Sequence, residues 1–181
     1  MADSNITKRA LASALKGLMQ EVPLEKISVG QICERCDMNR KSFYYHFQDK
    51  YDLVNWIFDT EFLEVIMAAQ YAHEWEALER LFRYFDDNRD FYRKALRLTG
   101  RNSLAEHFRE LMLPALEKDL QEILGTENVS RFEVDFFADA FLCAILRWMR
   151  SSEHIPCDEL VSKLKACVYK TAAHVAGDTS Q

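Results

Sequence analysis

Glycine and proline are scarce in this sequence, at five and three of 181 residues, against a combined share of roughly 12% in average proteins. Turn-rich sandwiches and barrels draw on both residues at their corners, so the scarcity moves the expectation to an all-α fold. A long apolar run is also missing. The greasiest stretch, Phe136 to Met149, is interrupted by Asp139 and Arg147 and is shorter than the roughly 18–20 residues a membrane span requires. No membrane partner is expected. The five cysteines form no regular framework, and the opening Met-Ala-Asp-Ser-Asn carries no apolar signal segment; together these point to a reducing, cytoplasmic setting.

Catalytic signatures are absent as well. There is no glycine-rich phosphate loop, no G-x-S-x-G and no H-E-x-x-H, and none of the five histidines follows a glutamate at three residues, which disfavours a helical di-iron centre. No enzyme activity and no cofactor are expected. Cys33-x-x-Cys36 has zinc-ligand spacing, but a structural site needs four ligands and no second pair exists, so both read as small buried hydrophobes rather than a metal site. Asp86-Asp87, followed by Asn88, reads as a turn rather than as paired catalytic carboxylates.

What is present is unevenly charged. Residues 1–50 carry eight Lys/Arg against six Asp/Glu, while 51–181 carry fifteen against twenty-three. A basic head on an acidic body suggests one part that faces a polyanion and one that avoids it.

Hydrophobic periodicity predicts about nine helices. Leu11, Ala14, Leu15, Leu18 and Val22 share one face of a helix from Thr7 to Glu21, stopped by Pro23. Ser28 with Gln31 forms a capping box for a short second helix ending near Cys36, and Asn39 is a good N-cap for a third, Arg40 to His46. A long helix starts near Lys50, which sets the expected boundary: a helix-turn-helix domain at 1–50 and a helical regulatory and dimerisation domain at 51–181. Beyond it, Leu81, Phe82 and Phe85 mark a fifth helix and Phe91 to Leu96 a sixth that ends near Gly100. Ser103 with Glu106 opens a seventh, interrupted by Pro114 and ended by Gly125; Ser130 with Glu133 opens an eighth through Arg150, and Pro156 suits the first turn of the last.

The informative stretch is SVGQICERCDMNRKSFYYHFQDKYDL, Ser28 to Leu53. A recognition helix needs one apolar edge to fix its pose and a polar remainder for DNA. Here Phe43 and Phe47 supply the edge, with Lys41 and Tyr45 opposite, Arg40 and Tyr44 on one flank and Ser42 and His46 on the other. Arg40 and Lys41 can donate to guanine O6 and N7; Ser42, Tyr44, Tyr45, His46 and Lys50 can donate to phosphates. Asn39 and Ser28, at the starts of their helices, complete the DNA-binding set. On composition alone, a solvated aromatic-rich hairpin remains the alternative.

At these residues the sequence resembles the tetracycline-repressor (TetR) family of bacterial transcriptional regulators, most specifically in the core Phe-Tyr-x-His-Phe-x-Asp-Lys-x-x-Leu from Phe43 to Leu53. The run FYYHFQDKYDLVNWIF further resembles the branch that contains regulators of dihydroxyacetone kinase operons, which admits a partner protein as signal and activation as outcome. The resemblance implies a homodimer on a palindromic operator, with Arg40, Lys41 and Ser42 where members read bases and Tyr44, Tyr45, His46 and Lys50 where they hold phosphates. Two positions depart from the family: Asp37 replaces the usual turn glycine, which implies a positive φ, and Gly30 replaces a longer residue that can add a base contact.

In the body, the wide apolar sector of Phe136, Phe137, Phe141, Ile145 and Trp148 predicts a homodimer through residues 130–175. An effector pocket is expected among Trp75, Phe82, Phe85, Phe108, Met112 and Trp148, with His107 and Arg147 as polar anchors and a small molecule or a protein as the effector. The competing reading is a helical ligand-binding or adaptor module whose basic head contacts another protein. Salt separates the two, because affinity for duplex DNA falls steeply with ionic strength.

Overall fold

The computed structural model describes residues 2–67, 74–98, 100, 102–125, 127–151 and 155–178. Among them it contains nine α-helices and no strand, as the sparse glycine and proline lead one to expect: α1 (Ala2–Glu21), α2 (Val29–Arg35), α3 (Arg40–His46), α4 (Lys50–Met67), α5 (Glu74–Asp87), α6 (Arg89–Ala95), α7 (Leu104–Leu124), α8 (Arg131–Arg150) and α9 (Cys157–Asp178), with a short 3₁₀ turn at Leu24–Lys26. No helix among the described residues is long and apolar enough to cross a membrane. Three boundaries differ from the sequence reading. Helix α1 starts before Thr7, in a turn whose Ile6 is exposed and adds no buried periodicity. Asp86 and Asp87 close α5 instead of forming a turn, and the turn falls at Asn88. Helix α6 stops at Ala95, short of Gly100.

The chain packs as two units. The first joins 1–70 with 88–106. Leu11, Leu15 and Met19 of α1, Ile32 of α2, Phe43 of α3 and Leu53 and Ile57 of α4 are buried there. Glu61 of α4 accepts from Lys16 of α1 with one carboxylate oxygen and from the Tyr92 hydroxyl of α6, at 3.1 Å, with the other. Lys94 of α6 donates to the Met19 carbonyl in the last turn of α1, where a cation is favoured. By packing, therefore, α4 and α6 go with the basic head, and residue 50 marks the N-terminus of a helix within this unit.

Between α2 and α3 the chain turns through Asp37, which adopts φ of 53°. Met38 N–H donates to the Cys33 carbonyl at 2.8 Å, which closes the turn. Left-handed backbone costs a residue with a Cβ more than it costs glycine. Replacing Asp37 with glycine is expected to raise stability by about 0.5–1 kcal/mol, read as a higher urea midpoint at unchanged slope.

The second unit comprises 71–87 and 107–181. Helix α8 begins at a full capping box, Ser130 with Glu133, and buries Val134, Ala138, Phe141, Ile145, Trp148 and Met149. Arg109 of α7 donates to Asp135 at 2.8 Å and to Asp139 at 2.6 Å, and Arg131 donates to the other oxygen of Asp135 at 3.0 Å. Hydrogen bonds from Arg109, then Arg131, hold the Asp135 carboxyl below its ordinary range. A depressed folded-state pKa stabilises above the unfolded value, near pH 4, and that contribution is lost as pH falls through the folded one. The urea midpoint of Asp135→Asn should accordingly lie below the parent's at pH 6, and the gap should close as the pH is lowered towards about 2.

Candidate nucleic-acid interface

Helix α3 is seven residues long and is held by its ends and one face. The Asn39 side chain accepts from Ser42 N–H at 2.8 Å and from the Ser42 hydroxyl at 3.2 Å, so cap and first turn fix each other. Phe43 and Phe47 are buried, their rings 5.7 Å apart, and Phe47 meets Trp56 of α4 at 5.8 Å. Lys8 of α1 lies 5.7 Å over both the Phe47 and Trp56 rings, cation–π contacts that brace the junction. With that edge inside, Lys41 and Tyr45 lie on the opposite face and Arg40 and Tyr44 on the flank beside it, and all four are exposed; Tyr45 reaches 83%. Two cations and two phenols along one short exposed helix suit groove edges and phosphates.

The other expected contacts divide. His46 is half-buried, its ring against Tyr45 at 4.8 Å. The hydroxyl proton of Ser42 points to Asn39, and Ser28 is occupied by its capping box, its hydroxyl 2.9 Å from Gln31 Oε1 while its backbone N–H donates to the same oxygen at 2.8 Å. Lys50 is engaged within the chain itself. Its ammonium donates to the carbonyls of Leu24, Glu25 and Ile27 at 2.8, 3.0 and 2.7 Å. An ammonium has three N–H groups, so none remains for a phosphate. Lys50 pins the start of α4 to the turn that precedes α2. Burial lowers its pKa, and the charges of Glu25 and Asp49 partly offset this.

Cys33 is buried and Cys36 half-buried, its thiol donating to the Ile32 carbonyl at 3.3 Å. Burial raises both thiol pKa values, which keeps them protonated and unreactive.

In the second unit, Phe82, Phe85, Phe108 and Trp148 are buried, with Phe85 on Phe108 at 5.5 Å and Phe82 on Trp148 at 6.3 Å. The indole N–H of Trp148 donates to the Ile155 carbonyl at 2.8 Å. Met112 and His107 are half-buried, whereas Arg147 is exposed and so is not placed within the aromatic cluster. The Trp75 side chain lies outside the described residues. Periodicity gave no sign of a groove of about 320 Å³ between α1 and α4, lined by Arg9, Lys16, Trp56 and Glu61 among others; its walls come from residues some 45 positions apart, such as the Lys16–Glu61 pair.

Residues 9–57 match the family model described as bacterial regulatory proteins, tetR family, and residues 73–170 match that of a transcriptional regulator C-terminal region. The HTH-type dhaKLM operon transcriptional activator DhaS of Lactococcus lactis subsp. lactis (strain IL1403) is 30% identical over 145 residues, 79% of this chain and 74% of the relative. Among solved structures, a dihydroxyacetone kinase operon activator DhaS is 25% identical with a TM-score of 0.60, over 93% of this chain and 97% of its own. A TetR transcriptional regulator from Streptococcus agalactiae 2603V shares the fold, with a TM-score of 0.72 at 20% identity over 92% and 96% of the two chains.

Proposed function

Since this chain belongs to the tetR family of bacterial regulatory proteins and is a transcriptional regulator rather than an enzyme, we propose that it binds a palindromic duplex operator as a homodimer. In this reading each subunit lays α3 in a major groove, and a signal acting on the C-terminal helices sets the affinity. The observation that carries the proposal is the exposed face of Arg40, Lys41, Tyr44 and Tyr45 on a helix whose opposite edge is locked by Phe43 and Phe47. Base edges give the sequence preference and phosphates the salt-dependent part of the affinity.

Exposed aromatics on α8 and α9 support the dimer. Phe132 and Phe136 are 78% and 58% exposed, with their rings stacked at 6.5 Å, and Tyr169 of α9 is 52% exposed. Exposed aromatics of this size suit a two-fold partner that covers them. The partner-facing side is therefore the Phe132 and Phe136 side of α8, not the Phe141, Ile145 and Trp148 side, which the subunit buries itself.

Light scattering and salt titration test both halves. The parent protein should have dimer mass at micromolar concentration, and Phe136→Asp should shift it towards monomer. Affinity for a selected inverted repeat should fall by orders of magnitude between about 50 and 200 mM salt. A monomeric parent, or one indifferent to duplex DNA at every salt concentration, would falsify the proposal.

A further inference from the structure

Gly30 lies in the first turn of α2, and its missing side chain is occupied by another residue. A Cβ built on Gly30 would lie 2.6 Å from Nη2 of Arg40, 3.2 Å from its Nε and 3.3 Å from its Cζ. The guanidinium of the first residue of α3 thus rests against the bare backbone of α2. A second effect agrees with this placement: the Arg40 charge acts on Cys33, one turn further along α2, lowering the thiol pKa against the larger rise from burial. Among the described residues the Arg40 guanidinium has no hydrogen-bond or ion-pair partner, although it carries five donors. It is positioned by shape while its donors stay open.

We propose that Gly30 is a specificity-determining residue: it forms a seat that holds the Arg40 guanidinium at the α2–α3 junction, poised to read a guanine of the operator. This inference rests on the DNA-binding reading above and deepens it. A flat guanidinium presenting two parallel donors matches O6 and N7 of guanine. Held against α2, it has fewer rotamers to lose on binding than a free arginine, so the same contact discriminates better. With any side chain at position 30 the seat closes. The far end of a flexible side chain must then move aside, and the helix itself need not shift.

The test uses the full-length protein as parent, Gly30→Ala, Arg40→Ala and the double variant, each put through selection from a random duplex library. Alanine favours helix over glycine, so Gly30→Ala does not weaken α2. The parent should enrich a guanine at one position of each half-site, and Arg40→Ala should lose that preference by about tenfold or more. Gly30→Ala should lose most of the preference at the same position and no other, and the double variant should match Arg40→Ala. The Arg40 Nε–Hε resonance of the DNA-free protein should also move in Gly30→Ala. A parent that enriches a site, with Gly30→Ala enriching the same site to the same degree, overturns this inference and leaves the regulator reading standing. So does loss of preference at a position different from that affected by Arg40→Ala, or an Arg40 resonance that stays in place. A parent that enriches no sequence overturns both.

Discussion

Lys50→Met is expected to destabilise the first unit by about 2–3 kcal/mol, the scale of losing hydrogen bonds from a charged donor while keeping the aliphatic stem. For a chain of this length that is a fall in the thermal midpoint of about 5–10 °C. The cause is the triple contact of the ammonium with the carbonyls of Leu24, Glu25 and Ile27. These carbonyls belong to the 3₁₀ turn and its exit, and that turn sets the start of α2. Without the pin, three acceptors must turn to water and the start of α4 loosens from the turn. A lysine that held a phosphate would behave otherwise. Its loss would leave the thermal midpoint unchanged and lower the salt slope of DNA binding by roughly one unit per subunit. Calorimetry and a salt titration on the same variant separate the two: a lower midpoint with an unchanged slope supports the pin, and the reverse sinks it.

Lys41→Ala is expected to act on the other side of the ledger, weakening binding to the selected operator by about 1–3 kcal/mol, roughly 5- to 150-fold, with little effect on random duplex. The side chain is exposed and α3 is fixed elsewhere, by the Asn39 cap and by Phe43. Helicity and dimer mass should therefore match the parent. Fluorescence anisotropy on the operator and on a scrambled duplex checks the difference. Equal affinities for parent and variant on the operator would show that Lys41 does not read the sequence.

These two lysines also show what a sequence reading can reach. The caps of α2, α3 and α8 were legible because each depends on residues three apart: Ser28 with Gln31, Asn39 with Ser42, Ser130 with Glu133. The left-handed turn at Asp37 was legible for a different reason: the residue stands where the resembled family carries a turn glycine. The exposed face of α3 followed from the positions of Phe43 and Phe47 alone. Lys50 did not yield to such reasoning, because its acceptors lie 23 to 26 residues earlier in a turn that carries no distinctive pattern. Resemblance to relatives assigns that lysine to DNA, and only the geometry shows its donors already spent. Gly30 was noticed as a departure from the family, but the residue that fills its space comes from the next helix. The turn of α1 ahead of Thr7 was missed because an exposed helix end leaves no apolar rhythm to detect.

The way α6 is fastened gives the head a property of practical weight. Lys94 reaches the end of α1, and Tyr92 shares Glu61 with Lys16, so the head is sewn from two stretches of chain with residues 71–87 between them. It is not a cassette that comes away with one cut. A chimaera joined just after α4 would leave Phe58 without Tyr92, whose ring it meets at 6.3 Å, and α1 without the cation at its end. Grafting this head onto another sensor would require residues 88–106 to travel with it, or a host helix rebuilt to present a phenol and an ammonium at the same two places.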